Sequence, residues 1–432
     1  MGNTVDGLVS GMDTTSMIAS MMQIESQPKL MLQTKVKTAQ TAVSSYQSVN
    51  SRLAALKNAA DDLGQLSTWR SIRPTVSSTS VTATATGGTT TATGSVTFDV
   101  VSIAKAQANT ARVASTGDIT AADSIQVAIG SADPVTIDIS ADRSASGIAN
   151  AINNAGIALK ASVVQTSAGD SVLQLNGSKT GAANAFTISG MDDVTTMRTT
   201  TAASDAQLQV GGADADGGFS LTSDTNTFTG LMAGVTMTVS KVESGLTLDS
   251  TANVSGIAAK FQALVDAANG ALSEVSKQTA YDSSSKRSSP LTGDFMVRQM
   301  SQSVLSAVST GQTGIGSLSK IGIQLDKTGQ LTFDAAKFTA AYNADPATIK
   351  TAGTAFADTF EALATKQSEN VTAAITSRNN LVDSLNLQID DWDVRLAAKQ
   401  EALQKTYATL ETSLNKLKSQ STWLSGQIAS LG

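Results

Sequence analysis

The stretch LNLQIDDWDVRLAAKQEALQKTYATLETSLNKLKSQSTWLSGQIASL, residues 385–431, decides how the chain is read. Leu385, Ile389, Trp392, Leu396, Lys399, Leu403, Tyr407, Leu410, Leu414, Leu417, Ser421, Leu424, Ile428 and Leu431 recur at alternating spacings of four and three, with one stutter at Tyr407. Twelve of these fourteen positions are apolar, so the run is a heptad seam. A helix of that length spans about 70 Å at 1.5 Å per residue, too long for a compact domain to cover by itself. It must pack along something equally long: the other end of its own chain, other subunits, or both.

The other end supplies a second seam. Leu32, Val36, Ala39, Val43, Tyr46, Val49, Leu53, Leu56, Ala60 and Leu63 follow the same rule with one stammer. Before it lie Met17, Ile18, Met21, Met22 and Ile24, closed by Pro28, and six of the twelve methionines fall within the first 31 residues. Such a segment is adaptable and packs against imperfectly matched surfaces, or else simply docks as a short helix on its own domain.

Between the helical ends the chain reads as β. From Trp69 to Phe219 the only intervening aromatics are Phe98 and Phe186, and Thr, Ser, Ala, Val and Gly dominate. Apolar residues alternate with threonine over Val81–Thr86, and Val96, Phe98 and Val100 resume the period after Gly87-Gly88. Ile125, Val127, Ile129 and Val135, Ile137, Ile139 flank a turn at Asp133-Pro134 and predict a hairpin. Ile148, Ala149 and Ile152 stand at helical spacing, with Gly156 as C-cap, and two further strands follow at 161–164 and 172–175. This is a β-β-α-β-β unit. Val235, Met237 and Val239 then alternate again and are expected to complete the sheet begun at Val76, which makes the unit between them an insertion.

At 432 residues the chain is long enough for about three domains, and 41% apolar content gives each a core. No cysteine and no histidine are present, which removes disulfides, thiolate nucleophiles, Ser-His-Asp triads, His-ligated zinc and ordinary proton shuttles at neutral pH. A net charge of -6 without a basic stripe argues against a nucleic-acid surface. The opening MGNTVDGLVSGMD lacks a basic n-region and an apolar h-region, and Asp6 stands where myristoylation needs Ser or Thr, so neither Sec export nor lipid anchoring is expected. No run of 18 apolar residues exists, and no membrane insertion is expected. The absence of cysteine fits a reducing cytosol and an exported chain equally.

Chemistry is sparse. Asp61-Asp62, Asp192-Asp193 and Asp390-Asp391 are sequence neighbours that point in different directions, and are read as solvated faces. The loop Gly211–Gly218 is similar to the opening of a calcium loop, but lacks the third oxygen ligand and the closing Glu. No phosphate loop or dinucleotide fingerprint occurs. We expect no catalytic residues, no metal, no cofactor and no enzyme. Two classes of function fit: an axial assembly protein whose terminal helices join a multi-subunit tube, and a surface adhesive module on a coiled-coil stalk.

Motifs at the ends discriminate between them. Val5-Asp-Gly-Leu-Val-Ser-Gly-Met-Asp-Thr14, with Met22, Ile24, Glu25, Gln27, Pro28 and Leu30, resembles the N-terminal signature of the bacterial flagellar filament cap family, hook-associated protein 2. Four further segments look like the same family in the same order. They are Thr229–Val239; Pro290-Leu-Thr-Gly-Asp294 with Val297 and Arg298; Leu318–Ile323 with Asp326, Gly329, Leu331, Phe333 and Asp334; and Arg395-Leu396 with Trp423-Leu424. The unit at 117–202, including Ile148–Asn153, looks like an insert that flagellins and hook proteins share. Met12 departs from the usual Leu, and the head residues between about 76 and 250 follow the pattern only loosely.

The resemblance implies an α+β multi-domain fold, with long terminal helices forming a coiled-coil leg and inserted mainly-β head domains. Filament-contacting helical segments would lie at 1–40 and 395–432, a helical leg domain at 41–75 and 253–394, a β head at 76–116 and 203–252, and the insert at 117–202. It implies a secreted, non-enzymatic ring-like homo-oligomer at the distal filament tip, which retains exported flagellin and promotes its folding. Implied partners are flagellin, the hook–filament junction proteins, a cytoplasmic export chaperone and the flagellar type III export apparatus. Contacts with filament or subunits would involve Val5, Gly7, Leu8, Gly11, Met12, Met17, Ile18, Met21 and Met22, together with Leu403, Tyr407, Leu410, Leu414, Leu417, Leu424 and Ile428. A structural motif of the leg would comprise Leu291, Gly293, Asp294, Ile321, Gly322, Asp326, Gly329 and Leu331. The end segments are expected to be poorly ordered in isolated subunits and helical on assembly.

Overall fold

The computed structural model describes residues 11, 13–87, 90–191, 197–212, 217–312 and 314–429. It divides into two units: Gln65–Ile257, and a helical unit of Met1–Gly64 with Ala258–Gly432. Elements are numbered along the chain. The helical unit holds α1 (Thr14–Glu25), α2 (Gln27–Gly64), most of α5 (Val254–Thr279), α6 (Phe295–Ser309), α7 (Ala335–Ala344) and α8 (Pro346–Ala429). Two small hairpins belong to it, β16–β17 (Tyr281–Asp282, Arg287–Ser288) and β18–β19 (Ile323–Leu325, Leu331–Phe333).

The α2 seam is realised as read. Ala39, Val43, Tyr46, Val49, Leu53, Leu56, Ala60 and Leu63 are all buried, and Leu32 and Val36 half-buried. Its partner is α8, which runs antiparallel within the same chain: Lys57 pairs with Glu361 at 3.0 Å, and further along Ser368 donates to Asn50 at 2.5 Å. At 84 residues α8 is about 126 Å long. It begins at Pro346, well before the seam at Leu385, with the Asp345 carboxylate accepting from the Thr348 N–H at 3.1 Å. The buried stripe there is Ile349, Ala352, Phe356, Ala357, Phe360 and Ala364. Small residues and phenylalanines replace the leucine repeat, so no heptad announces it. Phe261 of α5 meets Phe338 at 4.8 Å between ring centroids and Phe333 at 5.8 Å, and Phe356 meets Phe360 at 4.7 Å.

The unit Gln65–Ile257 starts with a short helix, α3 (Leu66–Trp69), and is otherwise mostly antiparallel β. A five-stranded sheet has the order β1 (Ile72–Val76), β15 (Glu243–Ala252), β3 (Gly94–Ser102), β11 (Ala206–Val210), β12 (Phe219–Ser223). A three-stranded sheet consists of β13 (Thr227–Phe228), β14 (Val235–Val239) and β2 (Val81–Ala85). Val235, Met237 and Val239 lie opposite Ala85, Ala83 and Val81. The two sheets share one core, with Phe98, Val100, Leu208, Met237, Leu246 and Leu248.

Between β3 and β11 the chain builds a second core from β4 (Ala108–Ala114), β5 (Ser124–Ile129), β6 (Val135–Asp138), α4 (Ala145–Asn154), β7 (Leu159–Ser167), β8 (Asp170–Gly177), β9 (Phe186–Ser189) and β10 (Arg198–Thr201). The expected β-β-α-β-β run is β5, β6, α4, β7, β8, arranged in sheets β6-β5-β9 and β10-β4-β8-β7. Ser144 caps α4 through the Gly147 N–H, and Gly156 follows it with φ +69°. Asn153 fastens α4 to β7: its side-chain amide donates to the Ala161 carbonyl at 2.8 Å and accepts from the Ala161 N–H at 3.0 Å.

Two boundaries differ from those expected. The first strand begins at Ile72, inside the range read as helical leg, because Pro74 interrupts the alternation yet is tolerated on an edge strand that pairs only with β15. The insert starts earlier than 117, since Ala111 and Val113 of β4 lie in its core and β4 pairs with β8. Lys105 and Ser204 exchange both backbone hydrogen bonds, at 2.9 and 3.2 Å, where the chain leaves and re-enters the larger sheet.

Gln107 is buried at the root of this insert. Its side chain donates to the Phe186 carbonyl at 2.8 Å and accepts from the Phe186 N–H at 2.9 Å. Gln107→Leu leaves both backbone groups of Phe186 without that partner. The expected cost is about 1–3 kcal/mol, confined to the insert. Denaturant unfolding followed by exchange at insert amides checks it, and an unchanged midpoint would mean that water replaces the amide.

Candidate assembly surface

The two ends of the chain meet along the distal part of α8. Lys29 forms an ion pair with Asp393, Glu25 pairs with Lys399 at 3.4 Å, and the Tyr407 hydroxyl donates to the Met17 sulfur at 3.0 Å. Numbers fall along α1 as they rise along α8, so the antiparallel register of α2 and α8 continues past the break at Ser26. That break follows from Pro28, which has no N–H to offer the Ile24 carbonyl. Lys399, one of the two polar positions in the seam, is explained by Glu25. Ile18 is buried, Met22 half-buried, and Met17 and Met21 exposed at the margin.

Cover then runs out. Ile389, Trp392, Leu396, Leu403, Tyr407 and Leu414 are half-buried, Leu410 is exposed, and every residue from Asn415 to Ala429 is exposed. Leu417, Trp423, Leu424 and Ile428 are thus apolar side chains of a helix that are each more than half exposed. Gly11 is exposed, while Val5, Gly7, Leu8 and Met12 lie outside the described residues.

The described residues of both end segments are helical apart from Gly11, Asp13 and Ser26. The ion pairs and the Met17–Tyr407 contact give local support that heptad reading does not count. Helix from Asn415 onward is exposed at every described residue, and an exposed helix of this length is marginal on its own. We expect amide exchange in the isolated chain to be slow over Ile349–Leu385 and near that of an isolated peptide over Asn415–Ala429. Strong protection of the latter before assembly would show that the helix already has its partner.

The leg-motif residues lie elsewhere, in two separate places. Leu291 is buried, Gly293 has φ +87°, and the Asp294 N–H closes the turn onto the Leu291 carbonyl. Asp294 then caps α6 through the Val297 N–H at 3.1 Å and accepts from the Tyr46 hydroxyl. Burial and then that carboxylate raise the Tyr46 phenol above its ordinary value. In the second place Ile321 is buried and Gly322 follows it at φ +86°, where a Cβ would sit 2.4 Å from the Asp334 carbonyl oxygen, so no other residue fits. Asp326 holds the β18–β19 turn, accepting from the Thr328 N–H and hydroxyl, both at 2.7 Å, and from the Gln330 N–H at 2.9 Å, which lowers its pKa. Gly329 completes that turn, and Leu331 exchanges two hydrogen bonds with the Asn269 side chain at 2.8 Å. These residues set the helical core; they do not join the α1–α8 surface. The Tyr46–Asp294 bond was missed in sequence, although an Asp ahead of an apolar helix is a cap signal.

Asp61 pairs with Lys57 and Asp62 with Lys260, as solvated ion pairs on different neighbours. Among the described residues no group of three carboxylates is placed to hold a metal ion, and no helix is long and apolar enough to cross a membrane. Residues 213–216 of the calcium-like loop and the pair Asp192-Asp193 lie outside the described residues.

Comparison with known proteins gives matches in the same order along the chain. The profile for the N-terminus of flagellar hook-associated protein 2 matches residues 10–107, and that for its C-terminus matches 203–419. The residues between, 108–202, are those of the α+β insert. The lateral flagellar hook-associated protein 2 of Vibrio parahaemolyticus is 28% identical over 307 residues, 66% of this chain and 67% of that protein. The flagellar hook-associated protein 2 of Escherichia coli K12 is 26% identical over 369 residues, 78% of this chain and 77% of that one. A crystal structure of the flagellar cap protein FliD, D1-D2-D3 domains, from Escherichia coli aligns with a TM-score of 0.58 at 26% identity, covering 76% of this chain and 95% of that one.

Proposed function

Because the chain belongs to the flagellar hook-associated protein 2 family, we propose that it is an oligomeric cap at the distal end of the flagellar filament that retains exported flagellin and promotes its folding and insertion. In this reading the helical unit is the leg and the unit Gln65–Ile257 the head. The observation that carries it is the exposed apolar end of α8, where Leu417, Trp423, Leu424 and Ile428 are each more than half exposed. An apolar helix end with a methionine-rich margin suits a lattice whose partners change as subunits are added. The chain would travel through the type III apparatus to the outside, with a chaperone covering the same face in the cytoplasm. Flagellin and the hook–filament junction proteins are its partners. No chemical step is asked of it.

The test uses filaments grown from purified flagellin and labelled purified protein, viewed by electron microscopy. The full chain is expected at one end of most filaments, and a chain ending at Leu414 at few. Equal decoration by the shortened chain would refute the role given to the bare helix end.

A further inference from the structure

A second exposed apolar stripe lies on α8, away from its tip. Leu387 is 68% and Val394 71% exposed, seven residues apart on one face. At about 100° per residue that face is opposite the one carrying the buried Val382 and Leu385, and it also carries Asp383, Asp390 and Asp391. Asp393 is taken by Lys29, whereas none of these three carboxylates forms an ion pair among the described residues. The stripe is therefore apolar with an acidic border.

The same unit holds the opposite combination. Tyr281 at the base of hairpin β16–β17 is 58% exposed, and Phe295 at the start of α6 is 72% exposed. The Ala280 carbonyl accepts from the Ser289 N–H at 3.0 Å and from the Thr292 hydroxyl at 2.8 Å, so the hairpin and the start of α6 form one surface. Lys286, Arg287 and Arg298 are exposed there without ion pairs among the described residues. The Asp282 carboxylate is occupied by Ser284 and Ser285, each donating its hydroxyl at 2.5 Å. Those bonds keep its single negative charge in place against three cations, so the patch is aromatic and net basic.

The two patches lie on different faces. Phe295 follows Asp294, which holds Tyr46, and Tyr46 lies beside Arg378 of α8; Leu387 is nine residues, about 14 Å, further along α8 and faces away from the side that buries Val371, Val382 and Leu385. We propose that they are the two halves of one contact between neighbouring copies of this chain, the Tyr281–Phe295 patch of one seated on the Leu387–Val394 stripe of the next. Opposite charge borders fix the register and disfavour like-to-like pairing. Each copy uses one half on either side, so the contact repeats until a ring closes. This inference rests on the self-assembly proposed above and names its surface.

The chain contains no cysteine, so introduced thiols are unambiguous. Full-length Phe295→Cys and Leu387→Cys proteins, mixed and mildly oxidised, are expected to give a linked dimer of unlike chains well above the like dimers from either alone. The variant carrying both is expected to give a ladder of linked multimers. Lys286→Glu with Arg287→Glu on the first chain should lower the linked fraction by about tenfold or more, and Asp390→Lys with Asp391→Lys on the second should restore it. Circular dichroism checks that each variant keeps its helix. If sedimentation finds multimers but only like dimers or no links form, the surface assigned here is wrong and self-assembly stands. If sedimentation finds no multimer at any concentration, both fall.

Discussion

Cells whose chain carries Leu410→Asp together with Leu417→Asp are expected to stop making long filaments and to shed unpolymerised flagellin into the medium. In the single chain these leucines are 42% and 61% exposed, so the substitutions should change its own stability by about 0.5 kcal/mol or less. At a contact that buries them, each charge costs about 3 kcal/mol or more, and the pair weakens attachment by a factor of about 10⁴. That gap between a sound monomer and a failed assembly is what the experiment reads. Secreted amounts of the variant must be measured by immunoblot, because the same face is where an export chaperone would bind. If the variant is exported normally and filaments reach full length, the helix end is only a stalk, and the adhesive-module reading gains ground.

Phe261→Ala is expected to remove most of the stability of the helical unit, by about 3–5 kcal/mol in denaturant unfolding. Phe261 is fully buried, and its ring lies 4.8 Å from Phe338, 5.8 Å from Phe333 and 6.2 Å from Phe356 between centroids. Removing it opens a cavity where α5, α7, α8 and the β18–β19 hairpin converge. These walls are phenylalanines on separate elements, held in register by Asn269 and Gly322, so collapse into the void is restricted. A loss under about 1 kcal/mol would mean that the ring cluster is not the core. The unit Gln65–Ile257 has its own core and should be unaffected.

Where a repeat was long and apolar, sequence and structure agree position by position, as in the α2 seam and the β-β-α-β-β run. The first half of α8 escaped because Ala352, Gly353, Ala357 and Ala364 let helices approach closely without a leucine repeat. Pro74 hid the start of β1, and the short alternation of Ala111 and Val113 hid the role of β4. At the candidate surface the seam was legible, but its shielding was not. That Ile18 is buried while Leu417 is exposed depends on the register of α1 against α8, two segments nearly 400 positions apart. Lys399 looked like a flaw in the repeat until Glu25 stood opposite. The Leu387–Val394 stripe reads as a fragment of a heptad and becomes distinct only when the opposite face is seen to be occupied.

The exchange of both backbone hydrogen bonds between Lys105 and Ser204 means that the polypeptide departs and returns through a doorway one strand wide, roughly 5.5 Å between Cα atoms for a pair of this kind. A two-residue turn such as Asn-Gly is enough to span it. Everything between is therefore a cassette: it can be lengthened, exchanged or dropped by changes to one continuous piece of gene, without re-registering the strands on either side. Change within this excursion therefore need not disturb the helices at the chain ends, whose residues lie elsewhere in the same sequence and keep their own pairing.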